Sequence, residues 1–291
     1  MTEAATLTLP AGACDCHTHV VGPRAGYAMV AERHYTPDTA TSSELQSHLA
    51  RNGLRRAVIV QPSFYGTDNR CLLDSLEQLG GAGRGVAVVG DNADAGDLRL
   101  LHQRGIRAVR INVESAGMRD ALAVSTLLER WSERVEPLGW HLQIYASMDT
   151  ISGAATALAS LTVPVVLDHF AMIPADTPRD DPRARTILDL LARGNVYAKL
   201  SAPYRMQQDG APDPARVAAW AQAFVAANSA RILWGSDWPH TNREAGKAAH
   251  EVSRYRDIPH GSLGSDLSRW LPTPALMQQV LVDNPRNLYG F

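Results

Sequence analysis

Short apolar runs alternate with longer amphipathic stretches along nearly the whole chain. The short runs are rich in valine, isoleucine and leucine and predict eight β-strands, at 13–21, 56–61, 84–90, 107–113, 141–146, 164–170, 196–201 and 231–236. Between them, apolar residues recur at helical spacing and predict helices at 42–52, 69–80, 97–104, 119–136, 150–160, 182–193 and 214–227. A Thr41-x-x-Glu44 capping box marks the start of the first helix.

This alternation predicts an α/β fold built from parallel strands. Each strand–helix–strand unit connects with a right-handed crossover, and eight units close into a (β/α)8 TIM barrel. No glycine-rich phosphate loop follows the first strand, which disfavours the open nucleotide-binding sheet as an alternative. The sequence shows no internal repeat and no low-complexity tract, so we predict one domain over residues 1–291.

Composition and charge exclude several classes of function. Hydrophobic residues make up 45% and charged residues 20% of the 291 residues, and the net charge is −2. This charge gives no reason to expect a nucleic acid or an anionic membrane as a partner. The sequence shows neither a membrane-spanning apolar run nor a signal peptide, so we predict a cytoplasmic protein. The spacing of Cys14, Cys16 and Cys71 fits neither a disulfide framework nor a zinc site, which predicts reduced thiols.

The first predicted strand, ACDCHTHVV, carries two histidines at alternate positions. Side chains two apart on a strand share a face, so Asp15, His17 and His19 are predicted to point one way. Cys14 and Cys16 then fall on the opposite face. Two imidazoles at a barrel mouth suit metal ligation or stabilisation of an oxyanion. A pair of hydrogen-bonded core histidines is the alternative.

Polar residues gather near the C-terminal ends of other predicted strands, where a barrel core alone would need apolar side chains. These residues are Gln61, Ser63, Arg110, Asn112, Gln143, Tyr145, Lys199 and Ser201. On the sixth strand Asp168 and His169 are neighbours, so only one can face the interior. We predict that His169 does so and that Asp168 is structural.

The last predicted strand ends in a carboxylate. Asp237 stands where the strand passes into a loop, and His240 and Asn242 follow closely. A carboxylate at this end of a barrel suits a general base or a metal ligand. A loop cap is the alternative, because Ser-Asp before proline is also turn chemistry.

Together these segments resemble the amidohydrolase superfamily of TIM-barrel hydrolases, which carries His-x-His on strand one, histidine on strand six and aspartate after strand eight. The segments GSDWPH and DNPRNLYGF are similar to its amidohydrolase-2 branch. Within that branch, HTHVVGP, RINV, LDHFA, KLSAPYR and SDWPHTN look like the lactonases of 2-pyrone-4,6-dicarboxylate, the sulfomuconolactone hydrolases and a galactarolactone isomerase. The resemblance covers nearly the whole chain.

The resemblance implies an amidohydrolase-type barrel and a role for each matching residue. It implies that His17, His19 and His169 polarise a carbonyl group and that Asp237 activates water. It implies substrate contacts for Arg110, Tyr145, Arg205, His240, Asn242, Ser63 and Tyr35.

The resemblance leaves the cofactor open. Arg110 and Tyr145 stand on strands four and five, where the binuclear members have a carboxylated lysine and a histidine, so we do not expect a two-metal centre. A single zinc or manganese ion held by His17, His19, His169 and Asp237 is one alternative. Catalysis with no cofactor is the other.

The predicted function is hydrolysis of a small anionic lactone of the dicarboxylate type, such as 2-pyrone-4,6-dicarboxylate, in the degradation of aromatic compounds. Two arginines, Arg110 and Arg205, suit a substrate with two acidic substituents. An ion pair of Arg110 with Asp15 and a solvated Arg205 are the alternatives. Rival reactions are sulfomuconolactone hydrolysis, isomerisation of a sugar-acid lactone and metal-dependent decarboxylation or amide hydrolysis. The alternative to an enzyme is a barrel that binds an anionic ligand without turnover. The sequence gives no prediction of the oligomeric state.

Overall fold

The computed structural model of the chain describes residues 7–114, 116–207, 210–259 and 261–291, and its main sheet has eight strands. They are β1 (Cys14–Thr18), β2 (Arg56–Val60), β3 (Gly83–Ala87), β4 (Ile106–Asn112), β5 (His141–Tyr145), β6 (Val165–Leu167), β7 (Val196–Ser201) and β8 (Ile232–Gly235). Each strand pairs in parallel with the next one along the chain. The predicted α/β barrel is therefore confirmed.

Helices follow the strands and pack against them. They are α1 (Ser42–Arg51), α2 (Arg70–Leu79), α3 (Ala95–Gln103), α4 (Ala121–Val135), α5 (Met148–Gly153), α6 (Ala155–Ser160), α7 (Pro182–Arg193), α8 (Pro214–Asn228), α9 (Ser262–Trp270), α10 (Pro274–Gln278) and α11 (Asn284–Tyr289). The capping box predicted at Thr41 is confirmed, because its hydroxyl accepts from the Glu44 N–H and the Glu44 carboxylate accepts from the Thr41 N–H.

Two helix predictions need correction. The helix predicted at 150–160 is two helices, α5 and α6, which meet at Ala154. The stretch 238–273, for which the sequence pattern predicts neither helix nor strand, contains α9. Serine and glycine are weak helix formers, and they interrupt the apolar period in SLGSDLSRW. Burial of Leu267 and Trp270 compensates for this low propensity.

The barrel closes where the chain leaving β8 runs beside β1. The Asp237 N–H donates to the His17 carbonyl oxygen at 2.9 Å, and the His19 N–H donates to the Trp238 carbonyl oxygen at 2.8 Å. Gly235 permits this approach, because a Cβ atom there would lie 2.5 Å from the His17 Cβ and 2.7 Å from its backbone nitrogen. The closure therefore places Asp237 next to the histidines of β1.

A register shift in β1 changes which of its side chains enter the barrel. Between Asp15 and Thr18 the pairing with β2 is irregular, as at a β-bulge. Cys14 and Cys16 belong to the inner apolar layer, and because of the irregularity His17, which directly follows Cys16, also points inward. The predicted grouping of Asp15 with His17 was wrong.

Asp15 instead faces the helix layer. Its Oδ1 accepts from the Ser236 N–H at 2.9 Å. Its Oδ2 lies 3.7 Å from Nε2 of His48, a residue of α1. Asp15 therefore holds the backbone at the end of β8 and lies beside His48 of α1.

Apolar side chains form two layers, one inside the barrel and one between the strands and the helices. The inner layer includes Cys14, Cys16, Val58, Val60, Val86, Ala108, Val166 and Leu233. The outer layer, between strands and helices, is larger and includes Leu128 and Trp131 of α4. Cys14, Cys16 and Cys71 are buried and free, as predicted. In the described part of the chain, no helix combines the length and apolarity needed to cross a membrane.

Leu128→Ala is expected to lower the free energy of unfolding by about 2–5 kcal/mol, because it leaves a cavity in the outer layer. Leu128 is 0% exposed, whereas Leu122 on the same helix is 75% exposed. Leu122→Ala is the matched control and should stay within about 0.5 kcal/mol of the wild type. Urea unfolding followed by circular dichroism measures both, and equal effects would contradict this packing of α4.

Candidate active site

The predicted site residues lie at the C-terminal ends of the barrel strands. Non-glycine residues with positive φ cluster there, among them His169 (φ 51°), Ala202 (φ 47°) and Asp237 (φ 63°). Such backbone costs about 1–3 kcal/mol per residue and persists only where the surroundings hold it. These turns bring His169 and Asp237 to His17 and His19 instead of continuing the strands.

Three imidazoles lie side by side at this end of the barrel. The ring centroids of His17 and His19 are 5.0 Å apart, and those of His17 and His169 are 4.6 Å apart. Nδ1 of His19 lies 2.7 Å from the carbonyl oxygen of Val60. A carbonyl only accepts, so Nδ1 of His19 donates and, in the neutral ring, Nε2 carries the lone pair. Nδ1 of His169 is fixed by the Ser201 hydroxyl at 2.8 Å.

The two carboxylate oxygens of the buried Asp237 have different surroundings. Oδ2 accepts from the Tyr204 hydroxyl at 2.6 Å and from Nη2 of Arg205 at 3.2 Å. Oδ1 lies 3.5 Å from Nε2 of His17 and 3.4 Å from Nε2 of His19. Within the described residues Oδ1 has no hydrogen-bond partner. Oδ2 is therefore held in place, and Oδ1 can accept a proton from water.

The charges of the site favour an ionised Asp237 beside neutral imidazoles. Burial alone would raise the pKa of Asp237, but the Arg205 guanidinium holds it well below its ordinary value. Burial and the charge of Lys199 lower the pKa of His17 to about 4. Burial also holds the pKa of His169 well below its ordinary value. A general base next to neutral imidazoles is thus available near neutral pH.

A buried polar network contacts the far side of His17. Nζ of Lys199 lies 2.7 Å from Oε1 of Gln143, 3.3 Å from Nδ1 of His17 and 3.4 Å from Oδ1 of Asp168. Asp168 Oδ2 accepts from Nε2 of Gln143 at 3.1 Å. The sequence marked Lys199 and Gln143 as polar residues near strand ends but gave them no role. Their contact with His17 places both next to the histidine cluster.

Asp168 and His169 both reach the interior, so the prediction that only one would do so was wrong. The reason is that β6 ends at Leu167, before either residue, and strand alternation no longer applies. Oδ1 of Asp168 lies 3.3 Å from Nδ1 of His17. Asp168 is therefore a neighbour of the histidine cluster and not a structural residue facing away from it.

Arg110 and Arg205 flank Tyr145 at the mouth of the barrel. Their guanidinium carbons are 6.0 and 5.9 Å from the Tyr145 ring centroid, and that ring is 5.4 Å from the ring of His169. Nη1 of Arg110 donates to the Gln61 carbonyl at 2.8 Å, and its buried Nε has no partner among the described residues. Two cationic groups thus stand beside the three imidazoles.

The alternatives for the two arginines are wrong. The Arg110 bond goes to a carbonyl, and Asp15 lies on the helix side of β1. The Arg205 side chain is only 23% exposed and is paired with Asp237, so it is not a solvated loop arginine.

The other predicted contact residues surround this centre. Burial raises the pKa of Tyr35, although the neighbouring Thr241, in the loop after β8, and Arg205 act to lower it. The His240 N–H donates to the Asp237 carbonyl oxygen at 2.7 Å, and the His240 ring lies 6.3 Å from the Tyr204 ring. Ser63, in the turn after β2, and Asn242, in the loop after β8, are half-buried. Their roles in substrate contact stay predictions.

Three of the four predicted metal ligands lie close enough together to bind one divalent metal ion. Donor atoms of His17, His19 and Asp237 lie within 4.8 Å of one another. His17 Nε2 and Asp237 Oδ1 have no hydrogen-bond partner in the described ranges, and the Val60 carbonyl orients His19 as in many metal sites. Three such donors with a fourth position open suit catalytic zinc. His169 falls in a second group, with His17 and Asp168.

Comparison with known proteins identifies the family. The sequence profile of the amidohydrolase family matches residues 14–291. The chain belongs to this family. A 2-pyrone-4,6-dicarboxylate hydrolase of Comamonas testosteroni is 32% identical to this amidohydrolase over 290 residues, which cover 97% of the chain and 91% of that protein.

A second relative and a solved structure are similar to the chain as well. A 4-sulfomuconolactone hydrolase of Rhizobium radiobacter is 29% identical over 285 residues, covering 98% of the chain and 92% of that protein. The crystal structure of a probable 2-pyrone-4,6-dicarboxylic acid hydrolase from Acinetobacter baumannii, with citric acid bound, superposes with a TM-score of 0.81 at 26% identity, covering 96% of this chain and 100% of that one. This amidohydrolase is thus similar to named lactone hydrolases over nearly its full length.

Proposed function

We propose that this amidohydrolase hydrolyses a small lactone with two acidic substituents, and that 2-pyrone-4,6-dicarboxylate is the first substrate to test. The observation that carries the proposal is the convergence of Asp237 Oδ1, unpartnered within the described residues, on His17 and His19. The named activities of the relatives support it.

Lactone hydrolysis needs an activated water, a stabilised carbonyl oxygen and a leaving oxygen. In the proposed mechanism Asp237 Oδ1 takes the proton of the attacking water. Neutral His17 and His169 face the developing oxyanion, where one well-placed donor is worth about 2.7–4 kcal/mol. A pyrone expels an enolate, which leaves more easily than an alkoxide.

The two arginines account for the anionic substrate. Planar guanidinium groups bind carboxylates with two parallel hydrogen bonds. Arg110 and Arg205 flank Tyr145, so we propose that the lactone ring lies near Tyr145 with one acidic group toward each arginine. A carboxylate and a sulfonate would satisfy the same two cations.

We propose that hydrolysis requires no metal ion. A zinc or manganese ion held by His17, His19 and Asp237 would supply Lewis-acid polarisation of the carbonyl group, and a requirement for it is the alternative. The cytoplasmic location, the lack of a nucleic-acid partner and the single domain over 1–291 stay predictions from the sequence.

A pair of related pyrones tests the substrate class. We expect chelator-treated protein to open 2-pyrone-4,6-dicarboxylate with a kcat/KM about 10–100-fold above that for the 6-monocarboxylate, because one charge-assisted contact is lost. Loss of pyrone absorbance measures both. Equal kcat/KM values would remove the two-anion part of the proposal. Opening of neither pyrone, with or without added zinc or manganese, would overturn the lactonase assignment.

A further inference from the structure

The fully buried ammonium group of Lys199 points at Nδ1 of His17, the ring nitrogen that faces away from Asp237. The side chains of Lys199 and Asp168 are 0% exposed, and a buried charge is stable only when it is paired and hydrogen-bonded. A lysine ammonium has three N–H donors. Three acceptors lie within reach: Oε1 of Gln143 at 2.7 Å, Nδ1 of His17 at 3.3 Å and Oδ1 of Asp168 at 3.4 Å.

A ring nitrogen that accepts from Lys199 cannot carry a hydrogen of its own. Neutral imidazole has one N–H and one lone pair, so this contact places the ring hydrogen of His17 on Nε2. That nitrogen faces Asp237 Oδ1 at 3.5 Å and has no other partner among the residues described.

The opposite tautomer would bond Nδ1–H of His17 to Asp168, whose Oδ1 is 3.3 Å away. Asp168 Oδ1 has no hydrogen-bond partner among the described residues and lies 3.4 Å from Nζ of Lys199. That tautomer would leave one Lys199 N–H without an acceptor, because only Gln143 and Asp168 could then accept from it. The number of donors and acceptors therefore favours the hydrogen on Nε2.

We propose that Lys199 is a positioning residue that sets the tautomer of His17. It holds the imidazole N–H toward the substrate carbonyl and removes the lone pair that a divalent ion would bind. The Lys199 ammonium also repels a cation at this place, so both effects weaken metal affinity. The part about the substrate carbonyl rests on the proposed function, whereas the tautomer and the metal affinity do not.

Nitrogen-15 NMR of protein labelled at the histidine rings tests the tautomer in the wild type. The His17 signals are assigned by their loss in His17→Gln. We expect a protonated Nε2 and an unprotonated Nδ1. A protonated Nδ1 on His17 would overturn the proposal, and this result does not depend on the folding of any Lys199 variant.

Two substitutions separate the partners of His17. In Lys199→Met we expect the ring hydrogen to move to Nδ1 and zinc affinity, measured by competition with a chromogenic chelator, to rise about 10–100-fold. In Asp168→Asn, which retains the lysine, we expect the Nε2–H tautomer of the wild type. A folded Lys199→Met with wild-type tautomer and zinc affinity would contradict the proposal.

These outcomes are separate from those of the proposed function. NMR and zinc titration use no substrate, and the pyrone assay does not read the tautomer. Pyrone opening with Nδ1 protonated would refute only the role of Lys199. Protonated Nε2 with no pyrone opened would refute only the substrate.

Discussion

Asp237→Asn is expected to lower kcat for opening of 2-pyrone-4,6-dicarboxylate by about 10³-fold or more, with KM changed by less than about 3-fold. Asparagine keeps the shape of the side chain but cannot take a proton from water. The contacts of Oδ2 with Tyr204 and Arg205 show that the carboxylate is held, while Oδ1 faces the histidines.

Steady-state kinetics at fixed pH measures this effect. Asp180→Asn is a suitable control, because Asp180 is exposed in the loop after β6, at the same end of the barrel. Its kcat should equal that of the wild type. Wild-type turnover in Asp237→Asn would show that another group activates the water.

Arg205→Met is expected to lower kcat/KM about 100-fold and to move the acidic limb of the pH–rate profile to higher pH. The loss in kcat/KM follows from the removal of one anion contact. The pH shift follows from the contact of Arg205 with Asp237 at 3.2 Å, which holds the pKa of Asp237 well below its ordinary value against the effect of burial.

The sign of the shift follows from the form of Asp237 that acts. A general base works when deprotonated, so activity is lost as the pH falls through its pKa. Without Arg205 the pKa of Asp237 rises, and activity is lost at a higher pH than in the wild type. Arg216→Met is the control, because Arg216 is 56% exposed and lies 4.0 Å from Asp213 in a surface pair. An unchanged kcat/KM and an unchanged pH profile in Arg205→Met would refute both roles.

The sequence predicts the barrel well because its strands are buried on both sides and its helices on one. Continuous apolar runs and helical periodicity therefore separate clearly, and all eight strands and the cap at Thr41 are found. The strand ends are less certain, since hydrogen bonding decides them and not hydrophobicity. Strand β6 ends at Leu167, three residues before the apolar run predicts. This difference produced the error at Asp168.

The local sequence pattern also fails to predict features that depend on residues far apart in the chain. The irregularity in β1 is defined by its pairing with β2, and period-two alternation of ACDCHTHVV gives no sign of it. Lys199 bonds Gln143 across 56 positions and His17 across 182. A lysine inside a predicted barrel strand was the available signal, but its partners become evident only when β1, β5 and β7 are brought together.

The most direct measurement is to incubate chelator-treated protein with 2-pyrone-4,6-dicarboxylate in oxygen-18 water and analyse the product by mass spectrometry. Attack by water predicts a ring-opened tricarboxylic product with one oxygen-18 atom in its new carboxylate, formed without added metal. A product of unchanged mass would indicate isomerisation. Turnover only after zinc or manganese is restored would contradict hydrolysis by Asp237 and the imidazoles alone.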